Sequence, residues 1–244
     1  MIIDFNAHFG AGPSSMEWHS ASELLAIEMG AGIDITIASD LATAFHDAAF
    51  DDAPLPEGLI AFASLNPSFR PYDLPPAKGL RIYPSYHDWS VADDAVARLL
   101  AIAREHSLIV QVCLRLRDPR ALPVTVPIPD AISQIREMVS GNDDILFVTS
   151  GMSFAEIKAN LALCDRPNVW IDISHVQHPT NSLPKLLDTI DVSRVLFGSG
   201  APVLYPYANV YRVMNSAIPD ESRQRILYKN AQELLGAMQW SISI

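Results

Sequence analysis

The sequence contains few of the features that mark several protein classes. Its only cysteines are Cys113, in an apolar run, and Cys164, in a polar turn, so no disulfide framework is expected and a reducing compartment is predicted. No apolar run is long enough to cross a bilayer. Acidic Asp4 follows two isoleucines, without the basic start of a signal peptide. We therefore expect a cytoplasmic protein.

Positive charge is also scarce. The chain has 17 Lys and Arg residues against 28 Asp and Glu residues, a formal net charge of −11. A phosphate-backbone partner requires a basic face, so nucleic acid is not an expected partner, and neither is a membrane. A small molecule is the expected partner, and association into a homo-oligomer is left open. With 244 residues, of which 49% are hydrophobic, the chain is predicted to form one large α/β domain over residues 1–244.

Short apolar runs alternate with amphipathic stretches along the whole chain. Most of these runs lack a polar alternation, which is typical of strands buried on both faces of a parallel sheet. The predicted strands are Ile2–Asn6, Ile33–Ala38, Leu59–Ser64, Leu80–Tyr83, Leu108–Leu114, Ile145–Thr149, Val169–Ile173 and Arg194–Phe197. Eight strands with interleaved helices in a chain of this length predict a single (β/α)8 TIM barrel. A doubly wound open sheet is the alternative, although a dinucleotide-binding version is disfavoured because no Gly-x-Gly-x-x-Gly follows the first strand.

Local signals predict where several helices begin and end. Three segments, Ser20–Glu23, Ser90–Asp93 and Ser153–Glu156, have the spacing of a capping box at a helix start. Gly30 and Gly141 are predicted to be left-handed residues at helix ends. The stretch NPSFRPYDLPPAKG at residues 66–79 contains four prolines, which exclude a normal helix and predict an irregular crossover after strand 3.

In such a barrel the active site lies at the carboxyl ends of the strands. The predicted strand ends are more polar than the strands that lead to them. They are Asn6 with His8, Asp40, Asn66, Tyr83 with His87, Arg115 with Asp118, Thr149 with Ser150, Ser174 with His175, and Ser199 with Gly200.

Five fragments of the sequence resemble one known family. MIIDFNAHFG, GLRIYPSY, NVWIDIS, VLFGSGAPVLYP and NAQELLG are similar, in order and position, to motifs of the amidohydrolase-related branch of the amidohydrolase superfamily. The resemblance implies a (β/α)8 barrel of metal-dependent hydrolase type. It also implies a hydrolase or a nonoxidative decarboxylase that uses zinc or another divalent metal.

The chain departs from this family at most of the positions that would bind the metal. Where the family has His-x-His at the end of the first strand, this chain has Asn6-x-His8, and an amide binds transition metals poorly beside imidazole. The aspartate that the family has after the eighth strand corresponds to Gly200.

The fifth and sixth strands, where the family has histidines, offer Gln111 or Cys113 and Thr149 or Ser150. Of the five expected positions only His8 matches, and one imidazole does not hold a divalent ion. The sequence thus predicts a degenerate metal site and no cofactor. A metal site recruited from the loop histidines His87, His175 and His178 is the alternative.

A metal-independent site would need other catalytic groups. His8 or His87 would act as the base, and Asn6 and Gln111 would polarise the substrate. Arg115 would clamp a carboxylate, because a guanidinium binds carboxylates through two hydrogen bonds; a structural ion pair is the alternative for this arginine.

Further residues are candidates to contact the substrate. These are Tyr83, Asp118, Ser199 and Tyr205. Arg81 shares a strand face with Tyr83, so it either lines the same mouth or pairs with an acid. Cys113 has no neighbouring base in the sequence, so its interpretation as a core residue is favoured over that as a nucleophile.

The sequence therefore supports two functional hypotheses. In the first, the chain is an amidohydrolase-like hydrolase, or a related lyase, that acts on a small carboxylate-bearing organic molecule without the usual metal. In the second, it is a non-catalytic barrel that binds a small anion or a protein partner. Loss of the aspartate at Gly200 favours the second hypothesis, and the polar rim favours the first.

Overall fold

Parallel strands alternate with helices throughout the computed structural model, which describes residues 1–13, 19–50, 54–69 and 77–237. The strands are β1 Ile3–Phe9, β2 Ile35–Asp40, β3 Leu59–Ala61, β4 Ala63–Leu65, β5 Gly79–Ile82, β6 Ile109–Cys113, β7 Phe147–Ser150, β8 Val169–Asp172 and β9 Val195–Leu196. Every pairing between neighbouring strands is parallel.

The helices connect these strands. They are α1 Ala21–Gly30, α2 Leu41–Phe45, α3 Asp94–Glu105, α4 Ile128–Ser140, α5 Phe154–Ala159, α6 Leu161–Cys164, α7 Ser182–Leu187, α8 Pro206–Met214, α9 Asp220–Gln224 and α10 Asn230–Gly236. A 3₁₀ turn covers Val192–Arg194, and a π-helical turn, Arg225–Lys229, joins α9 to α10. No helix within the described ranges combines the length and the apolar character needed to span a membrane.

Backbone hydrogen bonds close the strands into a ring. β1–β3 form one sheet and β4–β9 form another, but β3 and β4 are one strand interrupted at Phe62, whose N–H donates to Ala38 O at 2.9 Å. On the other side, Phe5 N donates to Phe197 O at 2.9 Å and Gly200 N donates to Asn6 O at 2.8 Å. The ring therefore has eight strand positions, and the predicted barrel fold is confirmed.

Apolar side chains fill the barrel below its mouth. The buried residues of this inner cluster are Ile3, Phe5, Ile37, Phe62, Ile109, Val148, Leu196, Ala231, Leu234 and Leu235. The rings of Phe5 and Phe62 pack edge to face with centroids 5.7 Å apart. The last residues of the cluster belong to α10, so this helix packs against the inner core, while a larger apolar cluster lies between the strands and the surrounding helices.

Two of the three predicted capping boxes are confirmed. Ser20–Glu23 and Ser153–Glu156 each form both reciprocal hydrogen bonds at the starts of α1 and α5. The prediction at Ser90–Asp93 is wrong, because this box closes a turn and α3 begins only at Asp94. Ser90 N donates to Asp93 Oδ2 at 2.8 Å, so the same hydrogen bonds stabilise a turn as readily as a helix start.

The predicted left-handed glycines are also wrong. Gly141 caps α4 with φ −94°, and Gly30 is the last helical residue of α1. The residue with positive φ after α1 is Gly32, at φ +81°. In the crossover after strand 3, residues 66–69 and 77–78 contain no helix, as predicted, and residues 70–76 lie outside the described residues.

Candidate active site at the barrel mouth

Polar side chains from five strand positions meet inside the mouth of the barrel. β1 contributes Asn6 and His8, β5 contributes Arg81, β6 contributes Gln111, β7 contributes Ser150, and β8 with the loop after it contributes Asp172 and Ser174. All seven side chains are at most 1% exposed. The apolar cluster lies below this polar layer, and alternate positions of β6 and β7 supply one residue to each: Ile109 and then Gln111, and Val148 and then Ser150.

Arg81 lies at the centre of this layer. Its guanidinium donates to Ala7 O at 2.6 Å and contacts His8 Nδ1 at 3.1 Å. It also donates to Gln111 Oε1 from Nη2 at 2.7 Å and from Nε at 3.1 Å. Weaker contacts reach Phe5 O and Ile37 O at 3.3 and 3.5 Å. All of the N–H groups of this guanidinium therefore point at protein acceptors.

Arg81 pairs with no acid among the described residues. None of the ion pairs in the described ranges includes it, and the side chain is 0% exposed. Of the two interpretations left open by the sequence, lining the mouth is the one that the structure supports. Among the described residues, the hydrogen-bond partners of this buried positive charge are carbonyl oxygens and the imidazole of His8.

Gln111 extends the polar layer toward β7. Its Nε2 donates to Phe5 O at 2.8 Å and to Ser150 Oγ at 2.6 Å, while its Oε1 accepts from Arg81. Both ends of the amide are occupied by protein groups, which leaves no free Gln111 donor to polarise a substrate. The predicted substrate role of Gln111 stays a prediction, and these contacts do not favour it.

Asp172 closes the layer on the side of β8. Its Oδ1 accepts from Ser174 N at 2.7 Å, and Ser174 Oγ accepts from Asn6 Nδ2 at 3.1 Å. Burial raises the pKa of Asp172, against the hydrogen bond from Ser174 N, which lowers it. Gly198 allows this carboxyl group to lie against the next strand, since a Cβ at residue 198 would meet Asp172 Oδ1 at 2.6 Å.

The histidines at the mouth are neutral at physiological pH. Burial, the charge of Arg81 and the proximity of His175 hold the pKa of His8 well below its usual value. Burial, together with Arg115 and Arg212, lowers the pKa of His175 to about 3. Because Nδ1 of His8 accepts from Arg81, the neutral ring carries its proton on Nε2, which is therefore a hydrogen-bond donor. The predicted role of His8 as the base stays a prediction that this contact does not favour.

His87 and Tyr83 lie beside His8. The Tyr83 ring centroid is 6.2 Å from that of His8 and 6.0 Å from that of His87, so these three predicted site residues are brought together. Ser64 Oγ donates to the Tyr83 hydroxyl at 2.9 Å. Burial lowers the pKa of His87 to about 4, and its ring packs on Phe45 with centroids 5.0 Å apart.

Arg115 and Asp118 each form an ion pair with a protein group. Arg115 Nη2 bonds Glu156 Oε1 in the first turn of α5, and its side chain is 12% exposed. Asp118 pairs with Arg120 at 2.8 Å on the surface, and hydrogen bonds from Arg120 lower its pKa. The roles of Arg115 and Asp118 in substrate binding stay predictions.

Ser199 and Tyr205 are placed away from the other predicted residues. Ser199 Oγ donates to Asp4 Oδ2 at 2.5 Å and lies 3.1 Å from Glu28 Oε1, behind the strands rather than in the mouth. Tyr205 is 70% exposed at the start of α8 and lines a surface groove with Tyr207. Substrate contact by either residue stays a prediction that these positions do not favour.

Cys113 is a core residue. It packs in a cluster with Tyr83, Leu116 and Leu122, and burial raises its pKa to about 12. A thiol of this pKa carries almost no thiolate at neutral pH. The structure therefore supports Cys113 as a core residue and not as a nucleophile.

Comparison with known proteins places this site in a family. A sequence profile described as Amidohydrolase matches residues 73–237, more than half of the chain. The chain belongs to the amidohydrolase family. A search of curated proteins found no match.

Solved structures share the fold of this amidohydrolase family member over nearly its whole length. 2,6-Dihydroxybenzoate decarboxylase from Rhizobium has a TM-score of 0.70 at 13% identity, covering 97% of this chain and 98% of its own. 5-Carboxyvanillate decarboxylase from Sphingomonas paucimobilis has a TM-score of 0.69 at 13% identity, covering 96% and 98%. An amidohydrolase from Burkholderia multivorans with bound zinc has a TM-score of 0.64 at 15% identity, covering 97% and 99%.

The residues at the mouth do not fit the divalent metal that the family implies. The described part of the chain contains no group of three His, Cys, Asp or Glu side chains placed to hold an ion. Moreover, the imidazole of His8 faces the guanidinium of Arg81 at 3.1 Å, and a second cation beside this charge would be repelled. Gly200, at the usual aspartate position, has φ +74°, and a Cβ there would meet Leu204 at 2.7 Å.

Sequence reasoning missed two residues of this amidohydrolase site, Asp172 and Arg212. Asp172 ends an apolar strand two residues before Ser174, and an acid at such a position is a signal that could have identified it. The sequence makes Arg81 a candidate to line the mouth, but it does not predict the central position of this residue. Arg212, whose Nη2 donates to Ile173 O at 2.7 Å, lies on α8, and no local signal connects this helix to β8.

Proposed function

We propose that this amidohydrolase family member is a hydrolase, or a lyase of related chemistry, for a small carboxylate-bearing organic molecule, and that it works without a divalent metal. The observation that carries the proposal is Arg81, a fully buried cation without an acidic partner in the described ranges. A buried charge without a counterion is costly. An anionic group bound at the mouth would offset this cost and would be attracted by the charge.

The side chains around Arg81 suggest how the reaction would run. His8 is neutral, with Nδ1 accepting from Arg81, so its Nε2–H would donate a hydrogen bond to the substrate oxygen that gains negative charge in the reaction. Asn6 has a free Oδ1 and would orient the substrate beside His8. His87, on the other side of Tyr83, is the candidate base, and Arg115 remains the candidate clamp at the rim.

The structural neighbours support the substrate class. Two of them are named as decarboxylases of small aromatic carboxylates, 2,6-dihydroxybenzoate and 5-carboxyvanillate. At 13% identity these similarities concern the fold alone. The proposal of a carboxylate substrate therefore rests on the charge of Arg81.

Turnover with and without a chelator tests the proposal. The purified chain would be incubated with a panel of small acids, which includes carboxylate-bearing esters, amides and lactones as well as aromatic acids that can lose carbon dioxide. We expect turnover that EDTA does not lower. We also expect His8→Ala to lose at least about 100-fold in kcat, the usual loss for a missing hydrogen-bond donor to a developing negative charge.

His106→Ala is the matched control, because His106 is exposed at the end of α3, and it should keep full activity. Turnover that requires added zinc or manganese would reject the metal-free mechanism. Tight binding of the acids with no turnover of any of them would instead support the non-catalytic barrel.

A further inference from the structure

Several buried polar atoms near the end of β8 have no hydrogen-bond partner among the described residues. They are Asn6 Oδ1, Asp172 Oδ2, His175 Nε2, and Nε and Nη1 of Arg212. Nearly all buried polar atoms in proteins have a partner, so a cluster of free ones indicates a place for a ligand or ordered water.

These four side chains meet at one short segment, residues 172–175. Asp172 and His175 belong to this segment, and Asn6 and Arg212 bond to it. Arg212 Nη2 donates to Ile173 O at 2.7 Å, and Asn6 Nδ2 donates to Ser174 Oγ at 3.1 Å. Ser174 Oγ is also 3.1 Å from His175 Nδ1, and Asp172 holds the N–H of Ser174 at 2.7 Å. Each side chain is therefore fixed at one end by the segment, while another polar atom is left free.

The free atoms include both donors and acceptors. Arg212 offers two N–H groups with positive charge, and burial lowers its pKa only to about 10, so it stays protonated at neutral pH. Asp172 and Asn6 offer oxygen acceptors, and His175 offers Nε2, which donates when Nδ1 accepts from Ser174. A ligand that satisfies this set must accept hydrogen bonds through a charged group and donate one from an atom close to that group.

We propose that Asn6, Asp172, His175 and Arg212 form a subsite for a 2-hydroxy carboxylate. Arg212 and His175 would bind the carboxylate, and Asp172 with Asn6 would accept the hydrogen bond of the neighbouring hydroxyl. The assignment rests on the proposed function, since it names the class of small acid that the barrel takes. It also gives a role to Arg212 and Asp172, which the proposed chemistry at His8 does not use.

Calorimetric titration with three matched probes tests the subsite. Mandelate carries both groups, phenylacetate lacks the hydroxyl, and mandelamide lacks the negative charge. We expect the wild-type chain to bind mandelate at least tenfold more tightly than either of the others, because a site built to hydrogen-bond a hydroxyl rejects the analogue without it. Asp172→Asn should reduce the preference for mandelate over phenylacetate to less than twofold.

Arginine variants test the carboxylate end. Arg212→Met should weaken mandelate binding at least tenfold. Arg223→Met is the matched control, because Arg223 also donates to backbone carbonyls, Val213 O and Ser216 O, but lies outside the cluster, and it should bind mandelate like the wild type. If Arg212→Met does not fold, the ring signals of His175 in the wild-type chain are followed by NMR during the titration, and they should shift with mandelate and not with mandelamide.

The outcomes separate this assignment from the proposed function. Equal affinity for the three probes, or no binding because only water occupies the cluster, would overturn the subsite. Turnover of small acids that Asp172→Asn and Arg212→Met leave unchanged would overturn the subsite alone. Selective mandelate binding in a chain that converts no acid would overturn the proposed reaction and support the subsite.

Discussion

Glu28 provides a sharp test of the buried electrostatics. This side chain is 0% exposed on α1, and its Oε2 accepts from Thr36 Oγ1 at 3.4 Å. Burial, the charge of Asp4 and a hydrogen bond with Asp4 raise the pKa of Glu28 to about 10. The folded chain therefore keeps a proton on Glu28 from about pH 4.5, where the unfolded chain loses it, up to about pH 10.

The sign of the pH dependence follows from this proton. Between about pH 4.5 and pH 10 the folded state binds one more proton at Glu28 than the unfolded state, so this group makes stability fall as pH rises. Each pH unit corresponds to about 1.4 kcal/mol. From about pH 4.5 to about pH 7.5 the loss would be about 4 kcal/mol.

The variant Glu28→Gln is expected to remove this loss of folding stability at higher pH. The glutamine amide donates to Asp4 as the protonated carboxyl does, and its oxygen still accepts from Thr36. We expect the variant to be about 2 to 4 kcal/mol more stable than the wild type near pH 7.5 and about equally stable near pH 4.5. Urea unfolding at several pH values between these limits measures the difference.

Glu137→Gln is the control, since Glu137 is exposed on α4. It should follow the wild type at every pH. A Glu28→Gln variant with the same pH slope as the wild type, or with lower stability near pH 7.5, would refute the assignment of a protonated carboxyl at Glu28.

Four further experiments test other parts of the structure. Arg81→Met should lower the free energy of unfolding in urea by about 3 kcal/mol or more, because it leaves buried carbonyls without donors; a loss below about 1 kcal/mol would contradict the buried network. Gly200→Ala should cost about 1 to 3 kcal/mol from its positive φ and the contact with Leu204, whereas Gly141→Ala, into open space, should be neutral in the same melts. Cys113 should resist iodoacetamide in the native chain and react once unfolded. Metal analysis should find well under one equivalent of zinc, manganese, iron or nickel, and a chelator should leave the melting temperature unchanged; a full equivalent would contradict the lack of fit.

The barrel was predictable because its strands are continuous apolar runs. The predicted Leu108–Leu114 contains β6, Ile109–Cys113, and similar agreement holds for the strand at Val169–Asp172. The third strand shows the limit of this approach. Leu59–Ser64 gives no sign of the interruption at Phe62, since the break arises from pairing with both neighbours and not from the residues themselves.

The site was less predictable, because its contacts join residues that are far apart in the sequence. Asn6, His8 and Tyr83 could be placed at the mouth because they lie at the ends of predicted strands. That Arg81 bonds Gln111 and His8 depends on the register of three strands, and a shift of one residue would turn the side chain outward. The direction of Ser199 toward Asp4 depends on the ring closure between the first and last strands.

The saturation of Arg81 has a consequence for how this barrel would evolve or be redesigned. Because every N–H of Arg81 is bonded to the protein, its guanidinium can act on a bound molecule only through its electrostatic field. The effect of this field depends on the charge of the molecule and not on its shape. Under the proposed function, recognition would be divided: Arg81 would favour molecules with negative charge, and the side chains and loops above it would select among their shapes. Changes in those loops are therefore expected to change which acid is bound, while a change at Arg81 would alter the preference for acids itself.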